Sequence, residues 1–238
     1  MTDQTRANRV RETAKLAIRK TLQRADLEIG RGAFAGRLRR TLASQGIDTV
    51  LDIGANVGQY ATLLRSAGFD GRIIGCEPLS GAFEQLERRA AGDPRWTVLN
   101  VAVGAEPGEA TINVAANSFS SSIRGMTDAH LRTAPGSRFI AAEVVPVTTV
   151  AELAATHAVD AARTLRKSDT QGFEGEVLQG AGDLVGRLAA IQLELSFVEL
   201  YDGQLLFDDL VSSMAYHGYR IQQLEPGISD PDGRMLQV

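Results

Sequence analysis

The sequence predicts an α/β protein: a mostly parallel, Rossmann-like sheet with helices on both faces, a β-hairpin insertion and an N-terminal helical extension. Three observations carry this. Two short apolar runs, Thr49–Ile53 and Arg72–Cys76, close on acids, Asp52 and Glu77. A glycine turn, Gly54-Ala-Asn-Val-Gly58, and a helix-length spacer lie between them. From Thr49 onward, apolar runs and amphipathic stretches alternate, the pattern of strands joined by crossover helices.

Before that alternation, residues 8–29 read as an amphipathic helix. Val10, Ala14, Ile18, Leu22 and Ala25 share one stripe, with six Arg and Lys side chains around it. Docking on the core, or on a second copy in a homodimer, would bury that stripe. Peripheral contact with an anionic membrane is the functional alternative. Gly30 and Gly32 loosen the chain before a short basic helix, 33–45. Residues 1–47 thus form a basic extension, with eleven Lys/Arg against four Asp/Glu, and residues 48–238 the main domain.

Within the domain, strand Thr49–Ile53 leads to helix 57–67, which Gly68 stops. Strand Arg72–Cys76 leads to helix 81–91, with Ser80 placed to cap it. Strand Trp96–Val101 follows, and there the alternation breaks. Glu106-Pro-Gly108 is a turn and Glu109–Val114 a returning strand, so a hairpin replaces the expected helix. The polar run from Asn117 to Ile123 opens a loop-rich stretch to about Glu143, read as a cover over the site. An extended run Val144–Thr148, helix 149–157, strand Arg163–Ser168, helix 173–181 and strand Ala190–Leu195 come next. Helix 204–217 and strand Tyr219–Leu224 complete the core, and Met235–Val238 reads as the opening of one more strand. Arg166-Lys-Ser168 is polar for a central parallel strand, which should be apolar on both faces, and predicts a weakened element.

Composition narrows the function classes. With 44% hydrophobic residues among 238, the chain can bury one sizeable core plus an appendage. No apolar run reaches the ~20 residues of a bilayer span, and no signal-peptide core stands out. Cys76 is the only cysteine, which excludes an internal disulfide and suits a cytoplasmic protein. A net charge of −4, with the domain acidic, argues against nucleic acid as the main substrate.

The turn itself indicates the ligand. A dinucleotide fingerprint has Gly-x-Gly-x-x-Gly, whose middle glycine lets the backbone approach a pyrophosphate. Here Asn56 stands in that place, between Gly54 and Gly58. S-adenosylmethionine has no phosphate, so this spacing favours it over a nicotinamide dinucleotide. Gly54 would let the backbone lie against the cofactor's amino-acid part, and Gly58 would start the helix close to the strand. Asp52 would accept from the cofactor's ammonium, and Glu77 from its ribose hydroxyls.

Several motifs together resemble the FkbM-type family of S-adenosylmethionine-dependent methyltransferases. They are Leu51-Asp-Ile-Gly-Ala-Asn-Val-Gly58, Cys76-Glu-Pro78, Asn100-Val-Ala-Val103, Asn117–Ile123, Lys167-Ser-Asp-Thr-Gln-Gly-Phe-Glu174 and Leu193-Glu-Leu-Ser196. The resemblance implies a class I methyltransferase sheet and adds Ala55, Tyr60, Pro78, Asn100 and Ala102 to the cofactor contacts. It also implies O-methylation of a hydroxyl group, of a deoxysugar in a glycolipid or of a small-molecule natural product.

Such a hydroxyl is almost wholly protonated at neutral pH and needs a base or a metal. Asp169, at the carboxyl end of a strand beside the topological switch, is the first candidate; capping the next helix is its alternative role. Glu194 ends the neighbouring strand, and the two carboxylates could hold Mg²⁺. His130 is a second candidate base. Asn117, Ser120, Ser121, Ser122 and Tyr201 are candidates for the acceptor pocket. Two other readings stay open at this point: a nicotinamide-dependent oxidoreductase, and a binding module that retains the fold with weakened catalysis.

Overall fold

The computed structural model describes residues 34–117 and 119–238, so the helix expected over 8–29 lies outside the described residues. Helix α1 spans 34–44 and buries Leu38 and Leu42 against the main core. Residues 34–44 of the basic extension therefore pack on the domain.

Five parallel strands form the central sheet: β1 (Thr49–Ile53), β2 (Arg72–Cys76), β3 (Trp96–Leu99), β7 (Thr164–Ser168) and β8 (Ala190–Leu193). Their spatial order is β3-β2-β1-β7-β8, with β1 at the centre. The chain reverses direction of progress between β1 and β7, and ligand crevices in open α/β sheets form at such switch points. All five residues of β1 are buried, as a strand covered by helices on both sides requires. Alternate residues divide the core in two. Val50, Ile73 and Leu165 pack with α1, α2 (Gln59–Ser66) and α3 (Ser80–Ala90). Leu51, Ile53 and Ile74 pack with α5 (Val150–Thr156), α6 (Glu174–Gln179) and α7 (Phe207–Tyr216).

Several expectations need correction. Ser80 is the first residue of α3; Leu79 precedes it in extended conformation and no side chain caps the helix. β3 ends at Leu99, because Ala102 and Val103 (β4) leave the main sheet to pair with β6 (Phe139–Thr148). The returning strand β5 (Gly108–Ala115) pairs antiparallel with that same β6, not with β3. The hairpin insertion is thus a separate three-stranded sheet, β4-β6-β5.

Its long connection is more ordered than a loop. Asn113 bridges Ser122, and Met126 bridges Tyr201. It also contains helix α4 (Asp128–Thr133), with Thr127 as cap, and β6 begins at Phe139, well before Glu143.

Residues 219–224 form no strand; Ile221 and Leu224 are exposed, and the main sheet ends at β8. Leu195 and Val238 exchange backbone hydrogen bonds at 2.8 and 2.9 Å, so the chain's last residues run antiparallel to the segment after β8.

Strand β7 forms in full despite Arg166 and Ser168, with every residue buried. Ladders to β1 on one side and β8 on the other hold its backbone whatever the side chains are. Arg166 lies beside Leu51 and Ile191 on the α5–α7 face, fully buried. Its three guanidinium nitrogens have no hydrogen-bond partner among the described residues. Burial pulls its pKa down to about 10.

Candidate active site

A cavity of about 850 Å³ opens at the carboxyl ends of β1, β2, β7 and β8. That volume lies within the roughly 300–1,000 Å³ of small-molecule sites. The second sheet and the serine segment, through Ile112, Phe119, Ser120, Ser121 and Ile123, supply its outer wall.

The end of the cavity where the sequence places the cofactor is built by the turn after β1. Gly54 has φ +74°, and a Cβ there would lie 1.9 Å from the Asp169 carbonyl oxygen. The glycine therefore lets the β1 turn and the end of β7 cross in contact. Gly58, at φ +86°, leaves room for the Trp96 ring, which a Cβ would meet at 2.8 Å. Asn56 takes a left-handed φ of 48°, and its Oδ1 accepts from the Val57 N–H at 2.8 Å. That occupies a helix-entry amide that a phosphate would use.

Glu77 stands on the cavity wall. Its Oε2 accepts from the Asn56 N–H at 2.8 Å and its Oε1 from the Leu79 N–H at 3.0 Å. Burial pushes this carboxyl up to about 7, against the opposing pull of those two amides. Ala55, Pro78, Ala102 and Tyr60 also line the cavity. The Tyr60 hydroxyl donates to Gln192 Oε1 at 2.7 Å. Asn100 does not reach the wall; its amide donates to the Glu77 and Pro78 carbonyls and fixes the turn after β2.

Asp52 is also off the wall, wholly buried beneath Lys167. Lys167 Nζ lies 3.1 Å from Asp52 Oδ1, 2.9 Å from the Gly54 carbonyl and 3.6 Å from Asp169 Oδ2. Burial lowers the lysine's pKa, but Asp52 and Asp169 more than offset this and hold it above the ordinary value. Burial likewise raises Asp52, with Lys167 opposing. Asp52 thus acts on the cavity through the lysine.

At the other end, Asp169 and Glu194 both reach the wall. Gln171 joins them: its Nε2 lies 2.7 Å from Asp169 Oδ1 and 2.7 Å from Glu194 Oε2. Burial, then the neighbouring Asp169 and Glu174, push the Glu194 carboxyl well above its usual range. The Gln171 amide stands where a cation shared by the two acids would sit. Among the described residues, no three His, Cys, Asp or Glu side chains gather to hold a metal ion.

The acceptor candidates divide. Ser120 and Ser121 line the cavity, whereas Asn117, Ser122 and Tyr201 stand behind it as supports. Asn117 Oδ1 accepts from the Phe119 and Ser120 N–H groups, and Ser121 Oγ from the Ala115 N–H. His130 is buried on α4, its ring edge-on to Tyr201 at 5.0 Å, and does not face the cavity. Burial holds its pKa below the usual value. A base must reach the proton that it takes, and this histidine is screened from the site.

Lys167, Gln171 and Gln192 carry site contacts that the sequence did not single out. Lys167 had one legible signal, a cation inside a buried strand whose parallel register puts it beside Asp52. Gln171 lay inside the quoted motif Lys167–Glu174 without being assigned a role, and Gln192 had no signal.

Residues 52–221 match the FkbM methyltransferase domain. No curated protein matches the chain. Among solved structures, the methyltransferase domain of bacterial CtHen1-CN is similar at 14% identity with a TM-score of 0.41, covering 85% of this chain and 93% of that one. No helix among the described residues is long and apolar enough to cross a membrane.

Proposed function

This chain belongs to the FkbM methyltransferase family, and we propose that it is an S-adenosylmethionine-dependent O-methyltransferase with an uncharged hydroxyl acceptor. A sugar or deoxysugar of a glycolipid or natural product is the acceptor class that the family resemblance favours. The observation that carries the cofactor assignment is Glu77. Two backbone amides aim its carboxylate along the cavity wall, where its remaining lone pairs can accept ribose hydroxyls. Leu79, Val101 and Ala102 provide apolar wall for a base beside it. Asn56 closes the helix-entry amide to a pyrophosphate, which disfavours the nicotinamide alternative.

Charge supports an uncharged acceptor. Among the described residues, the cavity wall carries Glu77, Asp169 and Glu194 against Lys167. Asp169, and Glu77 where it is ionised, favour a cofactor bearing a sulfonium and an ammonium over a phosphate or carboxylate acceptor.

When bound, S-adenosylmethionine supplies an electrophilic methyl group on a sulfonium. The chain's own residues must then orient the acceptor oxygen, take its proton and keep water out. Asp169 is placed to take that proton: its side chain is 40% exposed to the cavity side, and Gln171 holds one of its oxygens. Lys167, 3.6 Å from the other oxygen, stabilises the carboxylate before the proton moves. Leu79, Ile123 and Phe173 supply apolar wall around the reacting groups.

Calorimetry with S-adenosylhomocysteine tests the cofactor half: no heat of binding at millimolar ligand would refute it. Mass spectrometry of glycolipids from cells lacking the protein tests the acceptor half, with loss of one methylene as the expected change. Asp169→Asn should keep the calorimetric signal and lose the methylated product, and a chelator should leave the product unchanged if no metal takes part.

A further inference from the structure

The geometry points to Gln171 as a positioning residue that couples the seating of the serine segment to the arrangement of the Asp169–Glu194 pair. One residue makes contacts in both directions. Its side-chain nitrogen bridges the two carboxylates, at 2.7 Å to each. Its side-chain oxygen lies 2.7 Å from the Tyr201 hydroxyl, which is also 3.2 Å from the Ser120 carbonyl. Its backbone carbonyl accepts from Ser122 Oγ at 2.7 Å.

Both ends of this chain of contacts are fixed. On the covering side, Ser122 exchanges backbone hydrogen bonds with Asn113 of β5, and Arg124 donates to the Asp202 carbonyl and pairs with Glu176 of α6. Tyr201 is fully buried, so its hydroxyl has no water to turn to if Gln171 moves. On the carboxylate side, Asp169 leaves β7 and Glu194 follows β8, neighbouring strands of a rigid sheet. Gln171 itself holds a left-handed φ of 54°, uncommon for a residue with a side chain. Its neighbour Gly172, at φ +93°, lets the Tyr201 ring approach; a Cβ there would meet Tyr201 Cβ at 2.8 Å.

An amide has two N–H groups and one oxygen, and here all are engaged. Shifting the serine segment outward breaks the Ser122 bond to the Gln171 carbonyl and the Ser120 contact of the Tyr201 hydroxyl, which loosens the backbone and the ring that hold the Gln171 amide in place. Its two N–H donors then leave the carboxylates. A covering segment seated over a bound acceptor and a correctly spaced carboxylate pair are thus one state, and an open cavity is another. This rests on the proposed reading that the pair faces the acceptor. The test needs no methyl transfer, so its failure is separate from failure of that reading.

The test is a double-mutant cycle read by hydrogen exchange in peptides covering 119–124 of the whole protein. Glu194→Met removes one carboxylate and touches nothing in the covering segment. Gln171→Gly keeps the left-handed backbone and the Ser122 bond while removing the bridge. Each is expected to speed exchange several-fold, and Glu194→Met should add nothing in the Gln171→Gly background. Tyr201→Phe serves as an independent second background, where the same non-additivity is expected. Exchange at the wild-type rate in Glu194→Met, or an undiminished Glu194→Met effect without Gln171 or without the Tyr201 hydroxyl, would overturn the coupling.

Discussion

Replacing Lys167 with Met should destabilise the protein far more than deleting an exposed lysine. Lys167 is 9% exposed, and its ammonium is the cation paired with a fully buried Asp52. Removing one partner of a buried pair costs about 3–5 kcal/mol, because the other charge is left uncompensated. The bond to the Gly54 carbonyl, at 2.9 Å, is lost in the same step. The cost should also depend on pH, with a definite sign. Burial already pushes Asp52 up while Lys167 pulls it down. Without the lysine, the folded-state pKa rises further above the unfolded value, so the folded protein binds that proton more tightly than the unfolded chain. The variant's deficit is then smallest below the unfolded-chain pKa of about 3.9, where Asp52 is neutral in both states, and grows as pH rises through the folded pKa. Urea denaturation of wild type and variant at several values between pH 4.5 and 8 measures it. A deficit below about 1 kcal/mol, a range typical of surface ion pairs, or one that does not change with pH, would refute the reasoning.

The neighbouring cation should behave in the opposite way: Arg166→Met is expected to raise stability by about 1–4 kcal/mol, since a buried ion without good partners is worse than a hydrophobe of similar size. A lower urea midpoint for that variant would show that Arg166 has a partner of value. Cofactor binding should follow Glu77, whose carboxyl is pushed up to about 7. If the ionised form accepts the ribose hydroxyls, affinity for S-adenosylhomocysteine rises about tenfold from pH 6 to pH 8. Glu77→Gln should flatten that profile and cost about 1–3 kcal/mol at pH 8; a flat wild-type profile would rule out the ionised acceptor.

Much of the architecture was legible because it depends on local pattern. Thr49–Ile53 and Arg72–Cys76 are short apolar runs bounded by turn residues, and both strands occupy those bounds. The partner of β5 was not legible, because antiparallel pairing across residues 116–138 is decided by packing far along the chain. Tyr219–Leu224 has strand composition, yet no neighbour offers it a ladder, and composition alone does not supply one. The glycine turn was readable as a close approach at Gly58, but that the group it makes room for is the Trp96 ring was not. At the acceptor end, sequence showed which acids stand at strand ends but not what joins them. Gln171 and Gln192 are ordinary polar residues until the fold brings them to Asp169 and Tyr60.

Arg166 and Lys167 show why residue type alone misleads here. They are adjacent in one central strand, and strand alternation sends them to opposite faces. Arg166 enters the apolar layer beside Leu51 and Ile191 and gains no hydrogen bond. Lys167 lies beside Asp52 at the cavity and gains two carboxylates and a carbonyl. Those three contacts tie the turn proposed to hold the cofactor, through Gly54, to the acid proposed to face the acceptor, Asp169. Gln171 then carries the connection from Asp169 to Glu194 and the covering segment. The cavity is therefore aligned by a continuous run of polar contacts from β1 to the serine segment, and a break at Lys167 should disturb both ends together. If Lys167→Met weakened S-adenosylhomocysteine binding yet left hydrogen exchange at 119–124 untouched, the two ends would be independent and this account of their alignment would fail.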